Sequence, residues 1–388
     1  MKKRERTQDD AKDGCVSRFS FFIFHLSFKR NNSGSSLDRM AWRRFCRNPL
    51  SVASLVVIAL FALVAILGYL ITPDHTPYCN QQYLELATLK PGSKATFIYI
   101  DPTGEKPAPL LKRMTQGEPL PYTAIPIKTY KSFGDNWSTG DSTYVEPLAG
   151  EPFTVEQSRV VKIERRTFIL GTDGYGRDVL SMIMIGSRVS LSVGFIAILI
   201  ALLLGITLGA LAAYHGGWVD NLIMWIINVV WSIPTVLLVI AITFVLGKGF
   251  WQIFIAVGLT MWVDIARVVR GEVMSLKEKE YVEATRALGF STFRTIFHHI
   301  LPNIVGAVVV IAASNFASAI LLEAGLSFLG IGVQPPMPSW GMMVKENYGY
   351  ILLDSAYLAL LPGVAIMIIV LAFMLLANGL RDALDIKR

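Results

Sequence analysis

Glu283, Ala284, Thr285, Arg286, Gly289, Leu301 and Pro302 fall in a polar island, residues 279–302, between strongly apolar segments. Their types do not suit bond making or breaking; they suit mechanical contact. Tyr281, Ala284 and Leu288 recur at i, i+3 and i+7, the spacing of one face of a short helix. Gly289 follows where a left-handed C-cap is expected, and Ser291 is placed to N-cap a second helix. Phe293, Ile296, Phe297 and Ile300 then form an amphipathic stripe, and Pro302 marks the entry to the next apolar run. The residues alone leave two readings open: a loop lying on the bilayer surface, or a short helix offered to the groove of a partner. Glu283 and Arg286, at i and i+3, either stiffen that helix by about 0.2–0.5 kcal/mol or meet charges on the partner.

Polar groups inside apolar stretches are the second set of candidates, because they mark paths through a membrane. Asn228, Ser232, Ser314, Asn315 and Ser318 lie within such stretches, with Asp264 and Glu323 expected near their ends. Interhelical hydrogen bonding is the plainer reading of Asn and Ser. Glu323 is expected to pair with a basic residue of an outer loop. Lys248, between two glycines, reads as an interfacial lysine reaching for water. The run LGTDGYGRDVL, residues 170–180, combines glycines with Asp173 and Asp178. Its spacing fits neither an EF-hand nor a Walker loop, so it reads as a turn leading into a helix. The sequence contains no GxxxxGK[ST], HExxH or GxSxG, so no catalytic residue, metal or cofactor is expected.

These groups sit in a chain of 388 residues, 53% hydrophobic, with mean hydropathy +0.49. That composition excludes an ordinary soluble enzyme and indicates a polytopic membrane protein. The formal net charge is +7, but much of the excess is N-terminal, so nucleic acid is not needed as a partner. Cys15, Cys46 and Cys79 have no metal-site spacing and no disulfide pattern.

The elements that must carry the polar groups follow in order. Residues 1–48 form a basic tail; the Phe-rich stretch 19–28 is too short to span, and Met40 offers an internal start. No small-residue cleavage site follows, so a cleaved signal peptide is not expected. Residues 50–71 form the first membrane helix, and the preceding basic residues put the N-terminus in the cytoplasm. A long polar region, 72–187, with strand-like runs at 95–100 and 159–163, is expected to be an external insertion containing β-structure. Helices are then expected at 189–213, rich in small residues such as Gly194, Gly205, Gly209 and Ala210. A tight turn at 214–221 leads to a helix at 221–246 that contains Pro234, and then to one at 251–269. After the polar island, placed inside by Lys277, Lys279, Arg286 and Arg294, come a helix at 303–325, an outer loop at 327–357 and a last helix at 358–378. The tail, 381–388, ends inside. The expectation is an all-α polytopic membrane protein with six transmembrane helices, a β-containing external insertion between the first two, and a core over 188–380 that carries the other five helices.

Glu283-Ala284-Thr285, Gly289 and Leu301-Pro302 closely resemble the EAA loop of ATP-binding-cassette import permeases: Glu-Ala-Ala, three residues, Gly, and later Leu-Pro. Thr285 replaces the second Ala, and His299 stands where the wider motif has Ile. GTDGYGRDVLS, followed by residues 186–191, is similar to the segment before the second helix of the dipeptide/oligopeptide/nickel permease family. LSFLGIGVQPPMPSWG and the terminal LANGLRDALD are similar to its C-type subunit. The likeness covers 40–71 loosely and 168–385 well, while residues 73–166 exceed the family's usual first loop.

This resemblance implies a permease of the type I importer kind in the bacterial inner membrane, both termini cytoplasmic, that forms half of a path for di- or oligopeptides. Nickel or another peptide-like solute is the alternative cargo. It also implies a second, non-identical permease, two ATPase subunits that hydrolyse ATP, and an external solute-binding protein. Glu283, Ala284, Thr285, Arg286, Gly289, Leu301 and Pro302 would then couple the permease to the ATPases, with Gly289 setting the angle between the two helices. Two readings of another class compete. A secondary transporter working alone would show inverted repeats, broken helices and buried ionisable groups. A passive membrane anchor would tolerate substitution in the loop.

Overall fold

The computed structural model describes residues 35–101, 109–133, 142–247 and 249–384. Cys15, the Phe-rich stretch 19–28, Lys248 and the last four residues lie outside them. Within the first of two compact units, Ser35–Arg47 forms helix α1, where Trp42 and Phe45 stack with centroids 5.7 Å apart.

The second unit begins with α2, Pro49–Ile71. Asn48 caps it by accepting from the Leu50 N–H at 3.1 Å, and Pro49 takes the first position, where its missing N–H costs nothing. An antiparallel sheet follows, built from β1 Ser93–Ile100, β2 Thr123–Phe133, β3 Ser142–Pro147, β4 Phe153–Glu156 and β5 Val160–Phe168. The helix α3, Leu110–Gln116, interrupts the sequence between β1 and β2. The strand order is β4-β3-β2-β1-β5, so β2 is central and β5 returns to pair with the other edge of β1. Ile98 stands opposite Ile125 and Ile163 on one face, which also buries Ile127, Val145 and Val155; Phe97, Tyr99 and Phe168 fill the other. Both expected strand runs are found, each longer than the sequence indicated.

Among the described residues five helices are long and apolar enough to cross a membrane: α2; α4, Val179–His215; α7, Phe250–Lys277; α9, Thr292–Phe328; and α11, Tyr357–Leu384. The expected continuous helix over 221–246 is a correction. The chain instead forms α5, Gly217–Ser232, and α6, Thr235–Leu246, bent by 95° at Ile233-Pro234, a pair that is long and apolar enough to cross a membrane only when its two helices are taken together. Pro234 cannot donate to a carbonyl one turn back, and the residue before it is pushed to extended geometry; Ile233 is found there, at φ −94° and ψ 129°. The expected turn over 214–221 shrinks to Gly216 alone between α4 and α5.

The second helix starts ten residues earlier than expected because Asp178 caps α4, accepting from the Ser181 N–H at 2.8 Å. At 37 residues, α4 is about 55 Å long at 1.5 Å per residue, well beyond the roughly 30 Å of hydrocarbon. It therefore starts at the root of the sheet and carries its other end about 55 Å away along its axis. The core is made by α4 against α7. A Cβ on Gly209 would meet the Ala266 carbonyl oxygen at 2.5 Å, and one on Gly205 would meet Ile265 at 2.6 Å, so glycines let the two backbones touch. The outer loop contains a helix, α10, Trp340–Asn347, whose fully buried Trp340 donates to the Ile183 carbonyl of α4 at 3.0 Å.

Candidate functional site

The polar island folds as a short helix, a glycine corner and a long helix. Helix α8 spans Glu280–Ala287. Gly289 has φ +72° with open space around a would-be Cβ, so the backbone angle, and not crowding, requires glycine there. The Phe290 N–H bonds the Thr285 carbonyl at 3.0 Å and the Gly289 N–H bonds the Arg286 carbonyl at 2.9 Å, which closes the helix in a Schellman motif. Ser291 then caps the next helix, accepting from the Arg294 N–H at 3.4 Å.

One expectation about faces is corrected. Tyr281, Ala284 and Leu288 share one face as their spacing indicated, and all three are exposed, while Val282 and Thr285 are the buried residues of α8. The stripe Phe293, Ile296, Phe297, Ile300 splits: Ile296 and Ile300 are buried, while Phe293 and Phe297 are exposed and stack at 4.2 Å. The cause is a π-helical turn at Ile296–Ile300 inside α9. Pro302 has no N–H for the carbonyl one turn back, and the extra residue of a wide turn relieves that deficit while rotating the faces.

The corner is tied to the far end of α4. Lys277 Nζ donates to the Ala213 carbonyl at 3.1 Å, and the Arg286 guanidinium lies 5.0 Å from the centre of the Tyr214 ring. Glu283 and Arg286 form no ion pair with each other among the described residues; Arg286 takes Tyr214 instead. Leu301 packs against the core and Pro302 is exposed. The site is thus a stiff, bent projection at the end of α4 remote from the sheet, with an exposed face of Tyr281, Ala284 and Leu288.

The candidate path residues separate. A cavity of about 440 Å³ opens at the α5–α6 bend, between α7 and α9. Asn315 and Ser318 line it; Asn228, Ser232 and Ser314 do not. Asn228 accepts from Arg267 Nη2 at 3.1 Å, and Ser232 donates to the Val229 carbonyl at 2.8 Å. Trp231, Thr260 and Asp264 also line the cavity, and sequence reasoning passed over them as path residues. Asp264 was placed near a helix end because apolarity fades at Val269, but α7 continues to Lys277 and puts Asp264 at its midpoint.

Glu323 does not pair with a basic residue. It is fully buried, Oε1 accepting from Ser327 Oγ at 2.7 Å and Oε2 from Ser190 Oγ at 3.0 Å. The LGTDGYGRDVL run is a turn and helix start, as its spacing indicated. Buried Arg177 bridges Asp173 and Glu346, each at 2.6 Å, and so fastens the foot of α4 to α10. Burial pulls the Arg177 pKa down, but Asp173 and Glu346 outweigh it and the net shift is upward. Among the described residues no group of His, Cys, Asp and Glu has the arrangement of a metal site.

Comparison with known proteins gives two family matches. Residues 205–388 match the model described as binding-protein-dependent transport system inner membrane component. Residues 36–91 match the N-terminal TM domain of oligopeptide transport permease C. The dipeptide transport system permease protein DppC of Alkalihalophilus pseudofirmus is 44% identical over 217 residues, covering 56% of this chain and 71% of that protein. The glutathione transport system permease protein GsiD of Pectobacterium atrosepticum is 42% identical, covering 56% and 72%. The oligopeptide transport system permease protein OppC of Bacillus subtilis is 39% identical, covering 56% and 71%. Among solved structures, the inward-facing MetNI methionine ABC transporter aligns with TM-score 0.44 and 19% identity, over 54% of this chain and 98% of that one.

Proposed function

The chain belongs to the family of binding-protein-dependent transport inner-membrane components, as the permease subunit of an ABC importer, and from that premise we propose that its cargo is a short peptide and that the α8 corner is where ATP hydrolysis is coupled to transport. Peptide cargo rests on relatives whose names specify dipeptides, oligopeptides and glutathione, a tripeptide-like solute. In this reading the chain pairs with a second, non-identical permease, two ATPase subunits grip the corner from the cytoplasm, and a binding protein delivers cargo on the side of the sheet. Both termini are cytoplasmic.

The observation that carries the coupling role is the exposed face of Tyr281, Ala284 and Leu288 on a short helix braced against the end of α4. A small residue in the middle of an exposed apolar face permits close seating in a groove. Closure of two ATPases on ATP binding would carry the corner with them, and the rigid α8–α9 junction would pass the displacement into the membrane, a rocking of packed helices.

A second reading has specific support. The break at Ile233-Pro234 and the mid-helix carboxylate of Asp264 are features that a secondary transporter would also have. The experiment that separates the two is uptake by the reconstituted importer carrying Gly289→Pro or Glu283→Lys. Coupling predicts loss of ATP-driven uptake with membrane insertion intact. Wild-type uptake in both variants, or solute movement by the purified chain alone, would count against it.

A further inference from the structure

The cavity at the α5–α6 bend is lined by one acidic side chain and several neutral hydrogen-bonding groups. Asp264 is the acid on its wall, and no basic residue lines it. Asp264 has no hydrogen bond and no ion pair among the described residues. Arg267, one turn along α7, lends its charge to Asp264 without forming an ion pair with it: its guanidinium lies 3.7 Å from the centre of the Trp231 ring and donates to Asn228 at 3.1 Å. Three of the neutral polar groups on the wall direct a donor to a backbone carbonyl: Thr260 Oγ1 to Val257 at 2.8 Å, Ser318 Oγ to Ser314 at 3.4 Å, and Asn315 Nδ2 to Met261 at 3.5 Å. Their acceptor lone pairs and the amide oxygen of Asn315 remain, beside the Thr235 hydroxyl and the Trp231 indole.

A pocket with a carboxylate, hydroxyl and amide acceptors and no basic residue, walled by Val230, Leu322 and Leu326, is the complement of a compact cation with several N–H donors. Asp264 is exposed and open to a partner charge, and a primary ammonium offers three donors for one charge. The volume of about 440 Å³ lies within the usual range of small-molecule sites. We propose that this cavity is a cargo site in which Asp264 receives the free α-ammonium of a peptide, with Thr260, Asn315 and Ser318 accepting its remaining hydrogens. The inference rests on the peptide-import reading above.

The test uses the assembled importer in nanodiscs. Peptide binding is measured without the external binding protein, so that only the membrane site discriminates. The probes are alanyl-phenylalanine and its des-amino analogue, propionyl-phenylalanine. Wild type should bind the amine more tightly, Asp264→Asn should weaken that binding about tenfold or more while leaving the analogue unchanged, and Asp264→Glu should retain the preference. Equal binding of both probes by wild type, undetectable binding, or full amine affinity in Asp264→Asn overturns the site. Loss of the second permease from purified Asp264→Asn complex also overturns it, because Asp264 would then be holding a subunit. Uptake with the binding protein present is scored separately. Peptide uptake by wild type with no effect of Asp264→Asn removes only the site, whereas no peptide uptake by wild type removes the import reading as well.

Discussion

The hydroxyls of Thr285 and Thr295 face each other across the Gly289 corner, 3.4 Å apart and both buried. Thr285 also donates to the Val282 carbonyl at 2.7 Å, so its side chain is fixed in place. The departure from Glu-Ala-Ala at this position therefore has a structural use: it joins α8 to the start of α9 by a polar contact, at the point where force would pass between them.

Thr285→Val keeps the shape of the side chain and removes the hydroxyl. A hydrogen bond of this kind contributes about 0.5–1.5 kcal/mol net, too little to unfold the chain but local to the junction. Assembly should be normal, with fewer peptides taken up per ATP hydrolysed. The ratio of uptake to phosphate release measures this, and a wild-type ratio would show that the threonine pair has no part in coupling.

The contact between α4 and α7 allows a matched comparison. At Gly209 a Cβ would stand 2.5 Å from the Ala266 carbonyl oxygen and 3.0 Å from its Cα, both backbone atoms that cannot swing aside. At Gly271, on the same α7, a Cβ meets nothing within 4 Å. Gly209→Ala should lower the thermal inactivation temperature of the purified importer, as overpacking by one methyl group costs about 1–3 kcal/mol. Gly271→Ala should leave it unchanged or raise it, since alanine is the better helix former by about 1 kcal/mol. Equal behaviour of the two variants would mean that the helices have room to part.

Much of this was legible in the sequence. Gly289 at a helix end, Ser291 as a cap and small residues along α4 are local signals, and each is found where its spacing put it. What could not be read depends on distant or absent neighbours. The periodicity of Tyr281, Ala284 and Leu288 identified a face, but only the fold shows that this chain leaves it uncovered. Pro234 is compatible with either a kinked span or a break, and the sequence has no term for the 95° that packing selects. The α7 boundary was misplaced because apolarity ends where a helix leaves hydrocarbon, while its backbone bonds continue to Lys277. The serine cage of Glu323 draws on Ser190, 133 residues away, a separation that leaves no local trace.

That cage gives a third expectation. Ser190 and Ser327 both donate to Glu323, and Ser327 in turn accepts from the Val333 N–H at 3.2 Å, so the carboxyl organises α4, α9 and the loop after it. Glu323→Gln retains an acceptor oxygen and should assemble at reduced stability. Glu323→Leu leaves two buried hydroxyls without an acceptor, at about 1–3 kcal/mol for each group left unsatisfied. It should lower the inactivation temperature further and speed hydrogen exchange at residues 330–334. A leucine variant as stable as the glutamine one would show that the serines find other acceptors.

Asp178, at the foot of α4 outside the membrane span, links stability to pH. Burial raises its pKa above the ordinary 3.8, against the opposing hydrogen bonds from the Ser181 hydroxyl and N–H. A carboxyl that holds its proton more tightly folded than unfolded contributes stability at low pH, and that contribution is lost as pH rises through the folded-state value. Asp178→Asn keeps an acceptor for the Ser181 N–H, since Asn caps helices as well as Asp, and has no proton to lose. The inactivation temperature of wild type relative to this variant should therefore fall as pH rises above the ordinary carboxylate value, with Asp178→Ala below both throughout for want of a cap worth about 1 kcal/mol. Parallel curves for wild type and Asp178→Asn would show that burial and the cap bonds cancel, and a wild type that gains on the variant as pH rises would show that the shift has the opposite sign.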